Sequence, residues 1–130
     1  MLFKCKEINK LDKFNDLQKG INMTWEKKLD IYKEVINKCP RFELKGKTVP
    51  YTSANGHMFS QLNKAGELGI RFSKDVQQKY IQNLETDYFK SYGAVMRGYV
   101  LMPDSMWDNP NELVAYFNES YDYIMSLAPK

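Results

Sequence analysis

The chain predicts a two-layer α+β fold, an antiparallel sheet of about five strands with helices on one face, in the order α-β3-α-β2-α. Three observations carry this expectation. Apolar residues over 24–39 recur at the 3.6-residue period of a one-sided helix. Asn55-Gly56, flanked by strand-like runs, supplies the positive φ angles of a tight hairpin turn. Near the C-terminus, Tyr99-Val100-Leu101-Met102-Pro103-Asp104 reads as a strand that leaves through a turn into a capped helix opening at Asn109-Pro110.

The first 23 residues scatter Phe14, Leu17 and Ile21 among many charges. They predict an N-terminal arm or a short docking helix, with the α+β domain over residues 24–130. Thr24 then caps the first helix, whose stripe is Trp25, Leu29, Tyr32, Val35, Ile36 and Cys39. Glu34 and Lys38 form a supportive i,i+4 pair, and Pro40 ends the helix. Thr48–Ser53, His57–Leu62 and Glu67–Phe72 follow as a three-stranded meander with turns at Asn55-Gly56 and at residues 63–66. Phe42–Leu44 is a candidate short extra strand before the Lys45-Gly46-Lys47 turn.

Ser73 caps a second helix to about Leu84, with Val76, Tyr80, Ile81 and Leu84 on its apolar face. Tyr88–Tyr92 and Val95–Met102 are two further strands around Gly93. The last helix has Asn109 at its N-cap and Pro110 at its first position. Glu112 stands where it can reach back to the cap amide. Leu113, Tyr116, Phe117, Tyr121, Ile124 and their neighbours spread over roughly half the helix circumference, wider than a one-sided stripe. That breadth predicts packing on both the sheet and the first helix, or else a dimer contact.

The 130 residues suit one domain, which at this size buries about two-thirds of its unfolded surface. Aromatic residues make up 14% of the chain, which argues against disorder. Cys5 and Cys39 are too few and too unlike in context for a disulfide framework. Met1-Leu2-Phe3 is followed at once by Lys4, Lys6 and Glu7, unlike a signal peptide. No apolar run approaches the roughly 18 residues of a membrane span. These features predict a cytoplasmic protein with no membrane partner. Charge is uneven: residues 1–47 hold 12 Lys/Arg against 7 Asp/Glu, while residues 48–130 hold 7 against 9. The pI of 8.7 falls below the value of about 9 common in nucleic-acid-binding domains.

Two segments resemble the N-terminal domain of the TfoX competence regulators and its single-domain relatives. One is the hairpin from Ser53 to Ser60 with Gly66-Glu67-Leu68-Gly69-Ile70-Arg71. The other is Tyr99 to Asp104 with Asn109-Pro110-Asn111-Glu112-Leu113. The resemblance spans about residues 24–128. It implies a fold like that of secretion chaperones, no catalytic activity and no cofactor. Two features depart from the family. The helical C-terminal domain of the regulators has no counterpart in these residues, and Pro40–Lys47 stands where Phe-Gly-Gly commonly precedes the first strand.

Enzymatic signatures are lacking. His57 is the only histidine, and no third group orients a Cys39–His57 pair. One histidine and two separated cysteines give no metal-ligand spacing. Neither a P-loop nor a dinucleotide fingerprint is present. The candidate binding residues are therefore on the sheet. Alternate residues of a strand share a face. With Met58, Leu62, Leu68, Ile70, Met96 and Val100 toward the helices, the other face carries His57, Phe59, Arg71, Arg97 and Tyr99, beside Gln61, Glu67 and Val95. Such a face is either solvated with Arg stacked on its aromatics, or a contact for a protein partner or second copy, or a stacking platform for single-stranded nucleic acid. The expected function is a non-catalytic protein-interaction or regulatory module. The alternative is a transcription-related regulator that contacts nucleic acid through this basic and aromatic face.

Overall fold

The computed structural model describes residues 23–130. The N-terminal arm and Cys5 lie outside the described residues, Met23 apart. Among the described residues, three helices and a five-stranded antiparallel sheet make an α+β fold. No helix among the described residues is long and apolar enough to cross a membrane.

Helix α1 (Trp25–Asn37) begins where the Thr24 hydroxyl accepts the Lys27 amide at 3.1 Å. Its stripe buries Tyr32, Val35 and Ile36, and Cys39 is buried just past its end. Strands β1 (Tyr51–Ala54), β2 (His57–Leu62) and β3 (Leu68–Arg71) form the predicted meander. Helix α2 (Lys74–Asn83) follows, then β4 (Tyr88–Ser91), β5 (Ala94–Leu101) and helix α3 (Pro110–Met125). The sheet order is β1-β2-β3-β5-β4. Phe42–Leu44 does not form a strand. A single bridge between Lys45 and Tyr51 stands there, closed by the turn at Gly46 with its φ of +86°.

The helix-side core joins Leu62, Leu68, Ile70 and Val100 of the sheet to Tyr32, Val35 and Ile36 of α1 and Leu113 and Phe117 of α3. The Tyr32 and Phe117 rings stack at 5.7 Å. Burying such side chains contributes roughly 1.5–3 kcal/mol each, the main stabilising term. Ser60 is buried there too, and its hydroxyl meets Tyr32 Oη at 2.6 Å and Thr52 Oγ1 at 2.5 Å. The breadth of α3's apolar arc is accounted for within the chain, since the helix touches α1, β1, β2 and β3.

The approach to α3 is the expected turn, but one expectation about its cap changes. A 3₁₀ turn over Asp104–Asp108 precedes the helix and buries Met106 and Trp107. Asn109 is the N-cap residue, but its side chain makes no cap bond. Its amide instead donates to Ser105 O at 3.2 Å, satisfying a carbonyl of that preceding turn. At the other end of α3, the β1–β2 turn takes the free carbonyls: Asn55 Nδ2 donates to Ile124 O and Leu127 O, at 3.1 and 2.9 Å.

The sheet faces differ from strict alternation because β2 carries a β-bulge. Ser53 is opposite Met58, yet Thr52 is opposite Ser60, so Phe59 is an extra residue. A bulge of this kind turns both of its residues toward one side and reverses the parity beyond it. Phe59 therefore joins the helix side, buried completely, with its ring 5.1 Å from Phe42 and 6.1 Å from Tyr121 of α3. His57 follows it, and its Nε2 lies 3.0 Å from Ala128 O beyond α3. Met58 goes to the other face, within 3.8 Å of the Gln61 amide.

That other face is covered rather than open. The Phe89 ring lies against Gly69, where an added Cβ would come within 2.3 Å of it. Phe89 also packs on Tyr99 with ring centroids 5.9 Å apart. Asn63, in the β2–β3 turn, donates to Lys90 O at 2.9 Å, which ties β4 back across the sheet. Tyr99 is only 4% exposed and donates its hydroxyl to Met58 O at 2.8 Å.

Candidate functional site: a basic cleft at the β3–α2 junction

The chain leaves β3 at Arg71, passes Phe72 and enters α2 at the Ser73 cap, whose hydroxyl accepts the Val76 amide at 3.4 Å. This puts Arg71 at a strand end and Lys74 at the first position of a helix. Across from them, β5 kinks at Gly98, which has a φ of +86° and accepts the Phe72 amide at 2.9 Å. The kink sets Arg97 beside the same junction. Arg71, Lys74 and Arg97 line one cleft of about 500 Å³, with Gln78, Tyr88 and Tyr123 among its other walls.

The geometry of the cleft is partly fixed. The Arg71 guanidinium lies 6.0 Å from the centre of the Tyr123 ring. Its side chain runs over Gly98, where a Cβ would stand 3.3 Å from Arg71 Cγ. Gln78 donates to the Tyr88 hydroxyl at 3.1 Å, holding that ring at the rim. Gln77 donates to Tyr99 O at 3.0 Å, where the β4 ladder is interrupted, and so pins α2 to the β5 edge. Tyr99 beneath reports the local field. Burial pushes its phenol well above the usual range, and the nearby Arg71 cation opposes that shift.

Among the described residues, no carboxylate lines the cleft. Among the described residues the one ion pair is Arg41–Asp122, at 2.8 Å on a different surface. Three cations from three elements thus face one concavity without a counter-ion from the described chain. Their mutual repulsion is modest in water but grows as a partly enclosed site excludes solvent. An anion that enters relieves it.

The predicted residues divide between two places. Arg71 and Arg97 come together in the cleft, and Tyr99 is packed below it. His57 and Phe59 are on the helix side through the β2 bulge, away from this grouping. Sequence reasoning missed Lys74, Tyr88, Gln78 and Tyr123. Lys74 had a signal, since it follows a legible cap three residues after Arg71. Tyr88 and Tyr123 reach the cleft from distant segments and carried none.

Cys39 is buried, its thiol donates to Val35 O at 3.5 Å, and burial pushes its pKa up, which lowers its thiolate content. No group of three or more His, Cys, Asp or Glu that could hold a metal ion occurs among the described residues. Comparison with known proteins finds no family model that matches the chain and no curated protein that matches it.

Proposed function

We propose that the protein is a non-catalytic binding module that recognises an anionic ligand in the Arg71–Lys74–Arg97 cleft. The observation that carries this reading is the convergence of three cations in one concavity where, among the described residues, they are unpaired and no carboxylate joins the lining. The resemblance to the TfoX N-terminal domain, which implies no catalytic activity, fits the same reading. A sheet face that stacks bases does not, because Phe59 and Tyr99 are buried.

Pyrophosphate is a simple probe. Calorimetric titration at low and moderate salt is expected to show binding that weakens as salt rises. Arg97→Ala and Arg71→Ala are each expected to weaken it about tenfold, the loss of one charge-assisted contact. Circular dichroism checks that the variants fold. Absence of binding, or binding indifferent to both substitutions, would overturn the reading.

A second reading, a protein-interaction module, has its own observation. Of the four large hydrophobic residues exposed among the described residues, Tyr88, Tyr92 and Val95 belong to the β4–β5 hairpin. Tyr92 is 78% exposed at a φ of +54°, a conformation that a residue with a Cβ adopts at a cost. Light scattering over a dilution series tests the homodimer form. A mass that falls on dilution and is already monomeric in Tyr92→Asn would support it, and a monomer at every concentration would exclude it.

A further inference from the structure

We infer that the ligand of the basic cleft is a nucleotide, with its phosphate among Arg71, Lys74 and Arg97 and its planar base against Tyr88. This inference rests on the anion-binding reading above and names the ligand class.

Charge type is the first argument. Two guanidinium groups and one ammonium, from β3, α2 and β5, offer more donors than one carboxylate can accept. A phosphate presents several oxygens and up to two charges, and guanidinium forks match it well. Lys74 is also the first residue of α2, a helix of ten residues, so the positive end of the helix dipole lies at the cleft wall. The nearby Asp75 is exposed and is not among the lining residues.

The walls supply the second argument. A site for phosphate alone needs no aromatic surface, yet Tyr88 and Tyr123 both line this one. Tyr88 is 41% exposed, so its ring is open to a ligand. Its hydroxyl oxygen accepts from Gln78, which fixes the ring and leaves the phenolic proton free to donate. Arg71, held near Tyr123, adds a second flat surface, since a guanidinium stacks on planar groups. Stacking of one base on an aromatic side chain contributes about 1–3 kcal/mol.

Size is the third argument. The cleft volume of about 500 Å³ falls within the range of roughly 300–1,000 Å³ of small-ligand sites. The same chemistry is offered by a free mononucleotide and by the end of a single strand.

The full chain is titrated with adenosine 5′-monophosphate, inorganic phosphate, adenosine, pyrophosphate and a 5′-phosphorylated single-stranded oligonucleotide, all at one ionic strength. The monophosphate is expected to bind about tenfold or more tightly than phosphate or adenosine. Arg97→Ala is expected to weaken both the monophosphate and phosphate. Tyr88→Leu keeps the apolar bulk at an edge-strand position and is expected to weaken the monophosphate about fivefold or more, leaving phosphate unchanged. An oligonucleotide much tighter than the monophosphate assigns the ligand to a strand, and equal affinities assign it to the free nucleotide. Pyrophosphate binding without a preference for the monophosphate over phosphate, or with no effect of Tyr88→Leu, overturns the nucleotide while the anion site stands. Failure of every phosphate-bearing probe overturns both.

Discussion

Gly98 decides where Arg71 can lie. Its φ of +86° belongs to the left-handed region that glycine enters freely, and its missing Cβ leaves the space over which Arg71 passes. Gly98→Ala would bring a methyl group to 3.3 Å from both Arg71 Cγ and Phe72 O. The backbone carbonyl cannot swing away, but the arginine can. The variant is therefore expected to lose about 1–2 kcal/mol of stability. It is also expected to bind pyrophosphate more weakly, because Arg71 is displaced from its place against Tyr123. Urea unfolding measures the first effect and calorimetry the second. Unchanged affinity in the folded variant would show that Arg71 needs no such positioning.

The bulge in β2 is the element on which the predicted and observed sheets part. Phe59 fills a pocket against Phe42 and Tyr121, so Phe59→Ala is expected to cost about 3–5 kcal/mol in chemical denaturation, the value for deleting a buried aromatic ring. A residue on a solvated face would lose under about 0.5 kcal/mol, so the experiment separates the two placements cleanly. Most element boundaries were legible. Thr24 and Ser73 made the predicted caps, and Asn55-Gly56 made the predicted turn, because those signals act over three or four residues. Pro110 took the first position of its helix for the same reason. The faces were less legible. One inserted residue between Met58 and Ser60 reverses the side on which His57 and Met58 stand, and nothing local in Ala54–Ser60 announces it. The Phe89 cover was equally hidden, since it depends on Gly69, a position 20 residues upstream, having no side chain. Of the site, the Arg71–Lys74 strand-to-helix junction could be read locally. The approach of Arg97, Tyr88 and Tyr123 is a product of the Gly98 kink and of how α3 lies.

Across the whole molecule, buried tyrosines couple the layers to pH. Tyr32 of α1 and Tyr99 of β5 are pushed well above the ordinary phenol range, chiefly by burial. Tyr80 of α2 is pushed up to about 12, first by burial and then by the hydrogen bond it donates to Glu119 of α3 at 2.5 Å. Tyr116 of α3 is raised by burial and by the carboxylates of Glu112 and Glu119. Its ring lies 5.2 Å from that of Tyr80, and Phe72 packs against both. In each case the folded state holds the phenolic proton more tightly than the unfolded state, whose pKa is near 10. The unfolded chain therefore binds fewer protons above that value, and the sign of the linkage makes stability fall as pH rises. The contribution is complete below pH 10 and is lost as pH climbs from about 10 through about 12 and beyond, where the Tyr80 phenol ionises in the fold. Because these tyrosines join α1, α2 and α3 to one another and to the sheet, ionisation and loss of structure are expected to occur together in one alkaline transition. Tyrosinate absorbance and far-ultraviolet circular dichroism, followed through the same pH series, check this directly. Tyr32, Tyr80 and Tyr99 are expected to ionise within the transition and not ahead of it. Ionisation of Tyr32, Tyr80 and Tyr99 near pH 10 with the fold intact would contradict the burial of Tyr32 and Tyr99 and the half-burial of Tyr80, and with them the packing of the helices on this sheet.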